Sequence, residues 1–343
     1  MARRSIEEPV LLERFVTLIP GPYWLAALVW AVAIPSGLVF DAIAAAVTGK
    51  SALSITTLPN TMLNLLFIFY AFLMVRYIRL RVVAAESRIA PRLLGGTDKY
   101  QHAFGRMTRT LPPLVLSIVL SSFLLYTYAT AGVFTSLWLI PPNMIVVFLA
   151  TFSATTYLWE FASASWGLHK LGGNSLQLAS FVEDRMMGTK PLGNLALSLT
   201  IAYFGEILIA ILLFSTIPTF NIGSIIVFTI FLILGIGLFF LPLDSIHARM
   251  QNEKRDLMQQ ISKRYPPFRQ ESQPAAQNAT LNDIHTRLAK LTDLREVEML
   301  ERKITALPTW PFDVQLVSKF ITIVLSVSAV LLSRILTNYI LHI

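Results

Sequence analysis

Apolar residues run along this chain in long, almost unbroken stretches, separated by short polar segments rich in arginine and lysine. A helix needs about 20 apolar residues to cross the hydrocarbon core of a bilayer. Stretches of that kind recur at 22–47, 60–80, 111–134, 138–167, 192–215, 220–242 and 315–341. The pattern predicts an all-α, polytopic transmembrane bundle of seven spans. Only the region around Thr135 and Ser136 parts the third span from the fourth, and the region of Ile217, Pro218 and Thr219 parts the fifth from the sixth, so each pair reads as a tight hairpin. Residues 9–18 read as a short interfacial helix, ended by Pro20, Gly21 and Pro22.

One sizeable segment, 244–312, departs from the pattern. Its apolar residues recur at helical spacing among many charges: Ile246, Met250, Leu257 and Ile261 in a first helix over 244–264, then Ile284, Leu288, Leu291, Val297 and Ile304 in a second over 281–305. The polar, proline-containing stretch between them reads as a loop. The expected organisation is a membrane domain over 1–243, a helical hairpin over 244–312 and a final transmembrane helix over 313–343.

Composition fits this reading. The 343 residues are 55% hydrophobic and 14% charged, with a mean hydropathy of +0.62. That is too little charge to coat a water-facing domain, which carries roughly 25%. The net charge of +8 follows the spans. Eight basic residues lie in 76–109, three in 168–190 and eleven in 249–303, whereas the opposite connections hold only Lys50. Cytoplasmic loops collect lysine and arginine, so the N-terminus and the segment 244–312 are expected inside and the C-terminus outside, in the plasma membrane. Orientation and the anionic inner leaflet account for the positive charge, and no nucleic-acid partner is implied. The first residues, with mixed charges and no cleavage site after a short apolar core, do not read as a signal peptide. Cysteine is absent, which removes disulfides and thiol chemistry.

Catalytic and nucleotide-binding motifs are missing, so neither an enzyme nor a cofactor is expected. Glu206 stands out instead, near the middle of the fifth span, where a charge costs about 3 kcal/mol on insertion scales and such residues face the bundle interior or water. The last span carries a polar stripe of Lys319, Thr322, Ser326, Ser333 and Thr337, with Arg334 alongside. Such a stripe suits either a hydrated pathway or close helix packing. Glu160 on the fourth span sits at a depth similar to Arg76 on the second, a placement that suits an ion pair. Asp244 and His247, spaced i and i+3 on one helical face, are weak candidates for metal ligation; Asp41 is expected in solvent. Trp138, Tyr157, Trp159, Trp166 and Trp310 fit interfacial belts.

Two functions follow. The first is a channel- or transporter-like protein moving an ion or small solute, assembled as a homo-oligomer because one chain with an odd span count shows no inverted repeat. The second is a membrane scaffold or sensor that docks a cytoplasmic protein through 244–312.

Overall fold

The computed structural model describes residues 6–34, 58–130, 140–173, 176–179, 184, 186–214, 222–264 and 281–341. Their secondary structure is helical apart from one isolated bridge between Leu93 and Leu176. In chain order the helices are α1 (Leu11–Val16), α2 (Tyr23–Ala33), α3 (Leu58–Ile89), α4 (Gly96–Phe104), α5 (Leu111–Thr130), α6 (Ile140–Leu171), α7 (Lys190–Phe214), α8 (Ile222–Arg264), α9 (Leu281–Thr305) and α10 (Val314–Leu341). Within a bilayer a helix satisfies its own backbone groups, which is why apolar runs of this length take that form. α3, α6, α7, α8 and α10 are long and apolar enough to cross a membrane, and α2 and α5 are apolar but shorter over their described lengths. A polytopic membrane bundle is therefore supported by five long helices, two fewer than the seven expected spans. Asp41, Lys50, Trp138, the connections at 135–136 and 217–219, and the loop at 269–280 lie outside the described residues.

α7 is the most enclosed of the five, with 67% of its apolar window buried against 17% for α8. It packs on α3, α6, α8 and α10, while α6 also meets α3, α4, α5 and α8. α1 and α2 lie against α3. Glycine permits several of these approaches: a Cβ on Gly205 would stand 2.0 Å from the Tyr70 hydroxyl, and one on Gly193 would stand 2.2 Å from the Pro311 carbonyl.

One end of the bundle gathers the basic residues. Arg81 and Arg88 of α3 line a groove with Pro191 and Asn194 at the start of α7, and Lys190 pairs with Asp313 ahead of α10 at 3.0 Å. Ser245 donates to the His169 carbonyl at 2.7 Å, bringing the end of α6 to the same level. The break expected at 243–244 does not occur. α8 runs unbroken through Pro242 to Arg264, so the expected sixth span and first hairpin helix form one element. Proline removes one backbone donor, but Phe239, Leu243, Ile246 and Met250 make one buried stripe across it, and that packing carries the helix through. The end of α9 meets α8 where the Lys254 ammonium donates to the carbonyls of Thr305 at 2.6 Å and Leu307 at 3.1 Å. Ile304 and Leu307 form a small separate core there with Met187.

Candidate functional site

α6 is where the bundle buries its polar side chains. Thr151, Ser153, Thr155, Thr156, Glu160, Ser163 and Ser165 are all buried. Several of the hydroxyls are satisfied locally: Thr151 donates to the Val147 carbonyl at 2.8 Å and Ser153 to Ala150 at 2.7 Å. Thr155 reaches across to the Pro113 carbonyl of α5 at 3.2 Å. Such bonds to the preceding turn are the usual fate of Ser and Thr in apolar helices. The acids on this helix and on α7 are not satisfied in that way.

Glu160 is fully buried, and among the described residues neither of its carboxylate oxygens has a hydrogen-bond partner. The expected ion pair with Arg76 is not formed; that guanidinium lies over the Tyr23 ring, 4.4 Å from its centroid. Arg79, one turn along α3, binds Glu13 of α1 instead, Nε to Oε2 at 2.7 Å, and donates to the Glu7 carbonyl at 2.9 Å. Glu13 is itself only 2% exposed, and its other oxygen, Oε1, is unpartnered. Glu160 lies within electrostatic reach of both Glu13 and Arg79. α1 thus delivers an acid to the site, a role that its sequence did not disclose.

The second acid lies deeper. Glu206 is 16 residues from the start of α7, about 24 Å along it at 1.5 Å per residue. It is 8% exposed with both oxygens unpartnered. Three phenols surround this level. Tyr70 of α3 donates to the Ala202 carbonyl at 3.2 Å, and Tyr203 donates to the Phe231 carbonyl of α8 at 3.0 Å. Tyr157 of α6 is 1% exposed with its hydroxyl unpartnered, within electrostatic reach of Glu206, Tyr70 and Tyr203. It belongs to the interior rather than to an interfacial belt. Its position three residues before Glu160 was the available signal, since i and i+3 share a helix face. No family model, curated protein or solved structure matches this chain.

The remaining sequence candidates lie elsewhere. Lys319, Thr322, Ser326, Ser333 and Thr337 are exposed on the outward face of α10, whose inward face is Leu316, Phe320, Val327 and Leu331. Thr322, Ser326 and Thr337 each donate to the carbonyl four residues earlier, at 2.8–2.9 Å. Arg334 is half-buried beside them. Neither Lys319 nor Arg334 forms an ion pair with Glu206 among the described residues. His247 stacks on Trp310, centroids 4.1 Å apart, and its Nδ1–H donates to the Thr309 carbonyl at 2.7 Å. His169 likewise meets the Leu241 carbonyl at 3.1 Å. Both imidazoles are fastened to backbone, and among the described residues no group of three or more acidic or imidazole side chains is placed to hold a metal. Asp244 lies beside an open hollow lined by Trp166, His169, Phe240 and Trp310.

Proposed function

We propose that this protein is a channel- or transporter-like membrane protein that moves an ion or small solute, with the segment 244–312 and the N-terminus in the cytoplasm of a plasma-membrane-resident chain. The observation that carries this reading is Glu206: a carboxyl group deep in the helical bundle, with both oxygens buried and without a hydrogen-bond partner among the described residues. Buried polar groups are ordinarily hydrogen-bonded, and an acid retained within a membrane is costly unless it serves a pathway or a packed polar contact. Glu160 repeats the arrangement closer to the basic end, so the polar interior spans more than one level. The exposed polar face of α10 is where a second copy of the chain packs in this reading, since small hydroxyl residues let transmembrane helices approach closely.

The alternative, a scaffold that docks a cytoplasmic protein, draws on Leu288, Met299 and Leu300, large apolar side chains exposed on α9. Purified protein in liposomes separates the two. Transport predicts ion or solute flux from wild-type protein that falls at least about tenfold, equivalent to 1.4 kcal/mol, in Glu206→Gln, a variant of the same shape. Flux unchanged in a folded Glu206→Gln protein reduces Glu206 to structural glue and removes the main support for transport.

A further inference from the structure

Resting on the transport reading above, we propose that the species carried is a proton, relayed between the basic end and the bundle interior by Glu13, Glu160, Tyr157 and Glu206. Among the described residues the unpartnered buried oxygens include Glu13 Oε1, both oxygens of Glu160, the Tyr157 hydroxyl and both oxygens of Glu206, beside the hydroxyls of Thr156 and Ser165. Glu13 lies within electrostatic reach of Glu160, and Tyr157 of Glu206. Tyr157 and Glu160 stand one turn apart on the same face of α6, about 4.5 Å along its axis. Tyr70, seated against Gly205, and Tyr157 bring α3 and α6 to the level of Glu206.

The groups facing each acid define the chemistry. Glu160 is faced by Glu13 from α1, Tyr23 from α2 and Arg79 from α3. Arg79 is taken by Glu13, and Arg76 lies on the Tyr23 ring. Glu206 is faced by the phenols of Tyr70 and Tyr157. A metal cation needs several oxygens converging on one point, whereas these acids are carried by three helices, α1, α6 and α7, and no three acidic or imidazole side chains converge among the described residues. A proton needs only a lone pair on each successive oxygen. Transfer proceeds by exchange of O–H bonds. The Glu160 carboxylic acid gives its proton to the Tyr157 oxygen as Tyr157 gives its own to a Glu206 carboxylate oxygen; Glu160 is left as carboxylate, Tyr157 as neutral phenol and Glu206 as acid. Glu13 then reprotonates Glu160 and takes up a proton from water at the basic end, while Glu206 releases its proton to water toward the opposite end and returns to carboxylate. The atoms are not hydrogen-bonded to one another here, so each hop needs a bridging water or a side-chain rotation.

The test uses full-length protein in liposomes enclosing a pH-sensitive dye, under an inward proton gradient with the membrane potential clamped. Wild-type protein acidifies the lumen. Tyr157→Phe, which removes one oxygen from a shape-conserved side chain, and Glu160→Gln each slow this about a hundredfold, the scale of a lost proton-transfer group. Infrared difference spectra of the same samples show a protonated-carboxyl band that diminishes in Glu160→Gln. Proton flux unaltered by Tyr157→Phe overturns the relay. Flux of sodium, potassium or chloride that ignores the proton gradient also overturns it, while leaving the transport reading intact. Absence of flux for every one of these ions overturns the relay and confines the transport reading to an uncharged solute.

Discussion

Gly205 shows how much a single residue decides here. It precedes Glu206 and supplies the gap into which the Tyr70 hydroxyl fits; a Cβ there would meet that oxygen at 2.0 Å and the ring carbon beside it at 2.6 Å. Ring and backbone cannot both stay in place, and overpacking of this kind costs about 1–3 kcal/mol. Gly205→Ala is therefore expected to lower the thermal midpoint in detergent, and Tyr70→Leu in the same chain to recover most of the loss by withdrawing the phenol. If Gly205→Ala melts with the wild type, the close approach of α3 to α7 is not as described. Glu206 was legible as a candidate because a lone acid in an apolar run is conspicuous. Tyr70 and Tyr157 were not, because an aromatic residue reads equally as core, as belt or as pathway until its neighbours are known.

At the scale of elements, α1 is the short piece with the largest consequence. It is six residues long and lacks a side-chain N-cap, so little holds it as an isolated helix. Its order comes from Leu12 and Val16 packed in the core and from Glu13 bound to Arg79. Burial pushes the Glu13 carboxyl above its ordinary value, an effect only partly countered by the Arg79 and Arg76 guanidinium groups. A carboxyl raised in the folded state favours that state when protonated. Its contribution is complete below the unfolded value, about 4.3, and is lost as pH rises through the raised folded value. Seated α1 should therefore loosen as pH increases. The chain has no cysteine, so Leu12→Cys, normalised to the exposed control Leu11→Cys, reports the seating. Its relative labelling should rise with pH, and Glu13→Gln should flatten the dependence. Relative labelling that is flat in both chains would show that Glu13 does not hold α1.

For the whole molecule, the decisive asymmetry is that the described connections at one end of the bundle carry the basic charge. In the proposed orientation that end faces the cytoplasm. Gln259, exposed on the continuation of α8 beyond the bundle, gives a direct check. Gln259→Cys should resist an impermeant thiol reagent applied outside intact cells and react once the membrane is opened. Labelling in intact cells would invert the orientation and place the basic end outside.

Much of this architecture was determined by the sequence alone. Long apolar runs have few structural outlets in a bilayer, where backbone groups must bond within their own segment, and the helices follow the runs closely: Leu111–Thr130, Ile140–Leu171 and Lys190–Phe214 each match an expected span to within a few residues at the described ends. The continuity of α8 through Pro242 was not legible, because a proline and a change to polar composition mark a boundary locally. Only packing of Phe239, Leu243 and Ile246 on both sides of it decides otherwise. The candidate site was legible in part. Glu206 and Glu160 are conspicuous as isolated acids, but an ion pair is a matter of which helix faces which. Tertiary structure alone places Arg79 on Glu13 and Arg76 on Tyr23, leaves Glu160 unpartnered, and turns the polar stripe of the last helix outward. Periodicity identifies the face of a helix, whereas the neighbour that this face meets depends on long-range packing that no local pattern contains.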